Sequence, residues 1–172
     1  MTQPAASYPL LFKVGELVMG DGFLARVEGR GRVLLTQDAD DNEWWVYGVE
    51  PGAIAQGGAT PQEANLRFNK GLREILYDLS KRAGTFNRFK ADVESFFCAI
   101  DEVEASRWDG ALESLRDGGS VDDPFVAALR RVDVSKARCH VTVELIRADR
   151  AKGLKAAMNA TAAIAVANPE AA

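Results

Sequence analysis

The segment VYGVEPGAIAQGGATPQEA, residues 46–64, decides the fold because it passes from a predicted strand to a predicted helix. Pro51-Gly52 interrupts the strand, since proline cannot donate a hydrogen bond to a neighbouring strand. Thr60 is a favourable helix N-cap, a proline occupies the first helical position after it, and Glu63 completes a capping box. The segment therefore predicts a sheet followed by a helix, which is an α+β arrangement.

The helix predicted after this segment has one apolar face. Its apolar residues recur at spacings of three and four, the period of an amphipathic helix. Lysine and arginine at positions 81 and 82 suit a helix C-terminus, and Gly84 is predicted to end the helix. The residues expected on the buried face are Ala64, Phe68, Leu72, Ile75, Leu76 and Leu79.

The chain before this helix is predicted to form antiparallel strands. Its apolar runs are rich in valine, leucine and aromatic residues and are separated by turn residues. Asp21-Gly22 and Arg30-Gly31 are both expected to turn the chain. The predicted strands are residues 10–19, 23–28, 33–36, 43–49 and a short segment at 53–56. We expect an antiparallel sheet of three to four strands packed on the amphipathic helix, forming a core domain of residues 1–84.

Two further regions follow the core. Residues 85–135 carry a helical apolar stripe from Phe86 to Val103, and Ser106 and Asp123 are expected to open two shorter helices. Residues 136–172 begin with alternating apolar and polar side chains, which predict a strand, and continue into an alanine-rich stretch predicted as a helix. The chain is thus divided into a core, an acidic helical extension and a basic strand plus helix.

Composition places the chain among folded proteins. Its 172 residues with 47% hydrophobic content can bury a core. The formal net charge of −4 is uneven, being −2 over residues 1–84, −5 over 85–135 and +3 over 136–172, so only the last region favours a polyanion. No apolar run reaches the roughly 18 residues of a membrane span, and the start lacks the pattern of a signal peptide. We expect a cytoplasmic protein without a membrane partner.

Patterns for catalysis or metal binding are sparse. Cys98 and Cys139 lie far apart and outside any CxxC spacing, so we expect reduced, buried thiols rather than a zinc site. His140 is the single histidine and stands in an alternating strand, where a surface role is favoured over catalysis. Neither glycine-rich stretch has the spacing of a phosphate-binding loop. We expect no catalytic residue, no cofactor and no metal.

An acidic loop stands beside an aromatic cluster in the predicted sheet. The acids at positions 38–43 lack the central glycine and terminal glutamate of a calcium-binding EF-hand, so they are predicted to form a solvated turn. Strand alternation places Trp45 and Tyr47 on one face and Trp44 on the other. We therefore expect core packing on one side of this strand and an interface on the other.

The segment 46–64, continued through the helix to about residue 83, resembles the core of HicB-type antitoxins. The shared pattern is a strand, a Pro-Gly turn, a short strand, a glycine and a Thr-x-x-Glu-Ala helix start, here Thr60 to Ala64. The resemblance covers roughly residues 44–83. It implies a partial RNase H-like fold without nuclease chemistry, which binds and masks a small, HicA-like mRNA-cleaving toxin. On this interpretation the protein is not an enzyme.

For a small basic toxin, the surface to expect is acidic and aromatic, with a few anchors contributing most of the binding energy. The expected partner-binding residues are Asp38, Asp40, Asp41, Glu43 and Trp44.

Residues 132–143, VDVSKARCHVTV, are similar to the lead-in of a ribbon-helix-helix tail found in some members of that family. This similarity implies operator DNA as a second partner, contacted by Arg138, His140 and Thr142. An exposed strand edge in this segment also favours a homodimer or higher homo-oligomer. The proline expected after the strand is absent, and little chain remains for two full helices.

Two other functions remain open from sequence. One is a stand-alone interaction or oligomerisation module that keeps the HicB-like fold without a toxin. The other is a metal-dependent hydrolase that uses a carboxylate pair among Asp38, Asp40, Asp41 and Glu43.

Overall fold

The structure, a computed structural model, describes residues 7–117 and 139–146. Within them the protein is α+β, as the sequence predicted: one curled antiparallel sheet of five strands carries three helices. The elements are β1 (Ser7–Gly20), β2 (Phe23–Gln37), β3 (Trp44–Glu50), β4 (Ala55–Gly58), α1 (Pro61–Ala83), α2 (Phe86–Phe97), α3 (Glu102–Arg116) and β5 (His140–Ile146). The helix start at Asp123, Arg138 and the alanine-rich stretch 148–167 lie outside the described residues.

Strand β2 is the centre of the sheet. One of its edges pairs with β1 along its length, and its other edge is divided between two strands. Strand β5 pairs with residues 24–30 of β2, and β3 pairs with residues 32–37. Strand β4 then pairs with the outer edge of β3. A register irregularity between Arg32 and Val33 lies close to the junction of the two ladders.

The prediction of a turn at Arg30-Gly31 is wrong. Strand β2 continues through these residues, so two predicted strands form one. The glycines here allow close approach rather than a turn. A Cβ atom on Gly29 would lie 2.6 Å from the ring of Phe97, and one on Gly31 would lie 2.0 Å from the carbonyl oxygen of Glu50. The turn expected at Asp21-Gly22 does form, with a φ of 75° at Gly22.

Helices α1 and α2 cover one face of the sheet, which we call the inner face. Phe68, Leu72 and Leu76 of α1 are fully buried there, as predicted, while Ile75 and Leu79 are only partly buried. Helix α2 adds three buried side chains, and rings from the sheet pack against them, with Phe23 and Phe89 at 5.3 Å between centroids. The main core is therefore a layer of aliphatic and aromatic side chains between this face and the two helices.

Helix α1 begins with the predicted cap. The Thr60 hydroxyl accepts a hydrogen bond from the backbone N–H of Glu63 at 3.1 Å. The Glu63 carboxylate accepts from the backbone N–H of Ala59 at 3.0 Å, one residue before the N–H that a standard capping box uses. Gly84 ends the helix with a left-handed φ of 65°.

The apolar stripe from Phe86 to Val103 is not one helix, and the helix start expected at Ser106 is also wrong. Helix α2 ends at Phe97, and α3 begins at Glu102 behind Asp101, whose carboxylate accepts two backbone N–H bonds. Backbone bonds from Asp101 N–H to the Val49 oxygen and from Gly52 N–H to the Ala99 oxygen hold this break against β3.

The break carries α3 to the opposite, outer face of the sheet. There Trp108 is buried with Leu34 and Val49, and the guanidinium of Arg32 lies 5.3 Å from the centre of the indole ring. Helix α3 thus covers the end of the outer face that β3 forms.

We expect Leu76→Ala to lower the free energy of unfolding by about 2 to 5 kcal/mol, because Leu76 is fully buried and the change leaves a cavity. Leu66 lies on the same helix with 69% of its surface exposed, so Leu66→Ala is the matched control and should change stability by less than about 0.5 kcal/mol. Urea unfolding measures both. Equal losses in the two variants would contradict the assigned helix face.

We expect Thr60→Ala to cost about 1 kcal/mol, because it removes the side-chain acceptor for the first free amides of α1. Thr60→Ser keeps the hydroxyl and is the control. Thermal unfolding of the two variants would contradict the cap if serine and alanine destabilised the protein equally.

Candidate partner-binding surface

The acidic loop between β2 and β3 is held by its own hydrogen bonds. The backbone N–H of Asp38 donates to the Glu43 oxygen at 2.7 Å and closes the loop. Carboxylates of Asp38 and Asp41 accept backbone N–H bonds from residues two positions on, at 2.8 and 2.9 Å. Asn42 adopts a positive φ of 59°, a conformation that asparagine tolerates. The loop is therefore a defined turn that holds its acids at the surface.

Trp44 is not the exposed anchor that we expected. Only 9% of it is exposed, and it faces the inner side of the sheet. Its ring lies at 6.2 Å from the ring of Tyr8 with an interplanar angle of 20°. Trp44 is a core residue, so it does not offer a partner an exposed aromatic surface.

Trp45 and Tyr47 share the outer face, as strand alternation predicted. Their rings stack at 6.0 Å with an interplanar angle of 22°. Trp45 also lies across β4, where a Cβ atom on Gly57 would be 3.0 Å from the indole. Trp45 remains partly exposed, so it is the aromatic side chain beside the acidic loop that a partner can reach.

Tyr47 connects this surface to α3. The guanidinium of Arg107 lies 5.5 Å from the centre of the tyrosine ring. Burial raises the pKa of Tyr47, and the positive charge of Arg107 partly opposes that rise, while Glu104 and Asp38 add to it. Tyr47 therefore stays neutral at physiological pH, and its ring stacks against that of Trp45.

An open depression of about 530 Å³ extends from Trp45 to the start of α1. Glu63 and Arg67 form an ion pair at 2.6 Å on its rim, and Arg67 also donates to the carbonyl oxygen of Gly57 at 3.0 Å. These contacts tie the first turn of α1 to the edge strand β4. We use the name acid–aromatic surface for Asp38, Asp40, Asp41, Glu43, Trp45 and Glu63.

The sequence predicted the acidic loop as a solvated turn, which the structure has, but it expected Trp44 to be exposed, whereas Trp45 is the more exposed tryptophan. Strand alternation had already placed Trp44 and Trp45 on opposite faces, but the pattern could not say which face the helices cover. Glu63 was identified only as a capping residue, and Arg67 was not identified at all. Their position beside Trp45 depends on how α1 packs on β4.

The residues proposed for DNA contact lie elsewhere. His140 and Thr142 are exposed on β5, 3.2 Å apart between the ring nitrogen Nε2 and the hydroxyl, and β5 pairs with the half of β2 farther from the acidic loop. One edge of β5 is paired with β2 within the chain, which reduces the edge that was expected for self-association. The two predicted sites therefore do not form a single surface.

The chemistry of the described residues offers no metal centre. Among residues 7–117 and 139–146, no three or more histidine, cysteine, aspartate or glutamate side chains are placed to hold a metal ion. Two carboxylates of the acidic loop instead accept backbone N–H groups of the turn. The hydrolase alternative thus gains no geometric support from this part of the chain.

The two cysteines have different surroundings. Cys98 is exposed, contrary to the expectation that both thiols are buried. Cys139 is half-buried, and its sulfur lies 3.2 Å from the carbonyl oxygen of Phe97. Burial raises the pKa of the Cys139 thiol to about 12, with smaller contributions from Glu50 and Cys98. Cys139 is therefore protonated at physiological pH.

No family model, no curated protein and no solved structure matches this chain. None of the three helices in the described residues is both long and apolar enough to cross a membrane.

We expect thiol-directed reagents at pH 8 to modify Cys98 much faster than Cys139, because the thiolate is the nucleophile and burial keeps Cys139 protonated. Cys98→Ser should abolish the fast reaction, whereas Cys139→Ser should leave it unchanged. Both thiols should react at similar rates in denaturant. A fast reaction at Cys139 in the native protein would contradict this assignment.

Proposed function

We propose that the protein is a HicB-like antitoxin, which binds and neutralises a small, basic, HicA-like mRNA-cleaving toxin through the acid–aromatic surface. The protein itself catalyses no reaction on this proposal. The observation that carries it is the acidic loop, held in one turn by its own hydrogen bonds, directly beside the partly exposed Trp45.

The charge of the loop is available to a partner. None of Asp38, Asp40, Asp41 and Glu43 forms an ion pair with another described residue, whereas every carboxylate of α1 and α2 does. A protein that cleaves RNA needs a basic surface to hold the phosphate backbone. Complementary charge of this kind speeds encounter more than it adds to final affinity.

The aromatic part of the surface supplies an anchor. Trp45 is supported from one side by the Tyr47 ring and lies against the glycine backbone of β4, so its orientation is set before a partner arrives. Ordering such a side chain on binding costs little entropy, and tryptophan is enriched among residues that contribute most to interface energy.

The arrangement around α1 also supports the proposal. Strand β3, the break at Pro51-Gly52, strand β4 and the Thr60-capped helix follow one another in the order of the HicB-type pattern. Helix α3 and strand β5 lie outside that pattern. Helix α3 packs on the outer face beside Tyr47, and β5 pairs with the half of β2 farther from the acidic loop. With both in place, Trp45 stays partly exposed and the loop acids Asp40, Asp41 and Glu43 stay exposed.

We expect the combined change Asp38→Asn, Asp40→Asn and Asp41→Asn to slow association with the toxin and to weaken its salt dependence. Asparagine keeps the oxygen that accepts the turn hydrogen bonds, so the change removes charge and preserves the loop. The matched control neutralises three exposed acids, Asp109 and Glu113 of α3 and the C-cap residue Asp117, as Asp109→Asn, Glu113→Gln and Asp117→Asn. Stopped-flow binding against salt concentration should separate the two variants.

Trp45→Ala should act differently, because an anchor contributes after the complex has formed. We expect faster dissociation with little change in association, corresponding to roughly 2 kcal/mol or more. Trp44→Ala should instead lower folding stability, since Trp44 lies in the core. The antitoxin proposal is overturned if no small basic protein co-purifies from native cells and co-expression with the neighbouring gene relieves no toxicity.

A further inference from the structure

The elements that the structure describes cover only part of the outer face of the sheet. Helix α3 packs over the end that β3 forms, and no described element covers the end where β1, β2 and β5 lie side by side. Many of the side chains there are exposed and polar, although Leu17, half-exposed, and Leu24, buried, lie on the same face. We call this region the open sheet face and define it by Lys13, Gly15, Glu28, Arg30, His140 and Thr142.

Three nitrogen-bearing side chains cross the open sheet face in one row. Lys13 of β1 is directly opposite Arg30 of β2, and Arg30 is directly opposite His140 of β5. Side chains opposite each other in an antiparallel sheet stand about 5 Å apart, and like charges in such a position destabilise the sheet. The row therefore concentrates positive charge at a cost to folding.

Neither Lys13 nor Arg30 has a carboxylate within ion-pair distance among the described residues, in contrast to its neighbours on the same face. Arg26, four positions before Arg30 in β2, is 4.0 Å from Glu144. Arg32, two positions after it, is 3.2 Å from Glu50 and lies over Trp108, so its charge is already compensated. Among the described residues of β1, β2 and β5 on this face, the uncompensated positive charge is thus confined to the row that contains Lys13 and Arg30.

The row borders an open depression of about 480 Å³. Gly15 forms part of its floor, and a Cβ atom placed there would meet no other atom within 4 Å. Thr142 and His140 add hydrogen-bonding groups to its rim. Small-molecule sites are enclosed and largely apolar, whereas this depression is open and is bordered by charged and hydrogen-bonding side chains, which suits a polymer crossing the sheet.

We propose that the open sheet face binds the phosphodiester backbone of a nucleic acid, with Lys13 and Arg30 neutralising adjacent phosphates beside the hollow at Gly15. This surface is separate from the acid–aromatic surface, so the inference does not depend on the proposed antitoxin function. Glu28 faces the same hollow and limits affinity by repelling a phosphate there.

The test is fluorescence anisotropy of the full chain with labelled single-stranded RNA and with duplex DNA, each titrated at several salt concentrations. The variant Lys13→Gln with Arg30→Gln is compared with Arg82→Gln plus Arg116→Gln. Arg82 and Arg116 also lack a carboxylate partner in the described residues, and the control variant removes the same two positive charges as the Lys13 and Arg30 variant. Losing two phosphate contacts should reduce the slope of log K against log salt by about 1.4 for the single strand and about 1.8 for the duplex.

Two further variants distinguish binding at this particular surface from nonspecific attraction to the protein's positive charge. Gly15→Val fills the hollow without changing charge and should weaken binding while leaving the salt slope unchanged; the added Cβ meets open space, so folding should tolerate it. Glu28→Gln should strengthen binding. Thermal unfolding of each variant confirms that the fold is intact.

Both RNA and duplex DNA carry the phosphodiester groups that Lys13 and Arg30 would neutralise. Comparing the affinities of the two nucleic acids identifies which of them the surface prefers. The proposal is overturned if neither binds at low salt, or if the Arg82 and Arg116 control loses as much affinity as the Lys13 and Arg30 variant. It is also overturned if vesicles of phosphatidylserine and phosphatidylcholine bind through Lys13 and Arg30 while both nucleic acids do not, because the ligand is then a membrane surface.

Discussion

The continuity of β2 across Gly29 and Gly31 is the constraint on which the rest of the structure depends. The strand can pass beneath Phe97 and against the Glu50 carbonyl only because these positions carry no side chain. Since it continues, one of its edges is long enough to pair with β5 along its first half and with β3 along its second. A chain that turned at Arg30-Gly31 would present two short strands and would have no common edge for these two partners.

The break between α2 and α3 has the second largest consequence. Asp101 caps α3 and its backbone N–H is bonded to Val49, so the chain crosses from the inner to the outer face beside β3. The apolar outer residues Leu34 and Val49 are thereby buried under Trp108. Among the described residues, the part of the same face that β1, β2 and β5 form carries exposed polar side chains such as Lys13, Arg30 and His140.

The two candidate surfaces carry opposite charge and lie at different points along β2, one at its C-terminal end and one near its middle. Within residues 7–117 and 139–146, the acids of the β2–β3 loop form no ion pair at one end of the strand, and Lys13 and Arg30 form none near its middle on the outer face. Charges of opposite sign that remain separated on a single sheet are available to different partners, because each would otherwise be neutralised within the fold. Strand pairing keeps them apart, and this permits the two proposed interactions, with a protein and with a nucleic acid, to be tested independently.

Local sequence determined those features whose energetics are local. The Thr60 cap, the Gly84 end of α1, the turn at Asp21-Gly22 and the buried stripe of α1 depend on neighbouring residues and on helical period, and they were predicted correctly. The course of β2, the end of α2, the burial of Trp44 and the opposition of Lys13 to Arg30 were decided only in the tertiary structure. A glycine in the sequence is equally compatible with a turn and with a close contact to an aromatic ring. Strand alternation assigns side chains to two faces but does not say which face the helices cover. These features therefore depend on contacts between residues far apart in the chain.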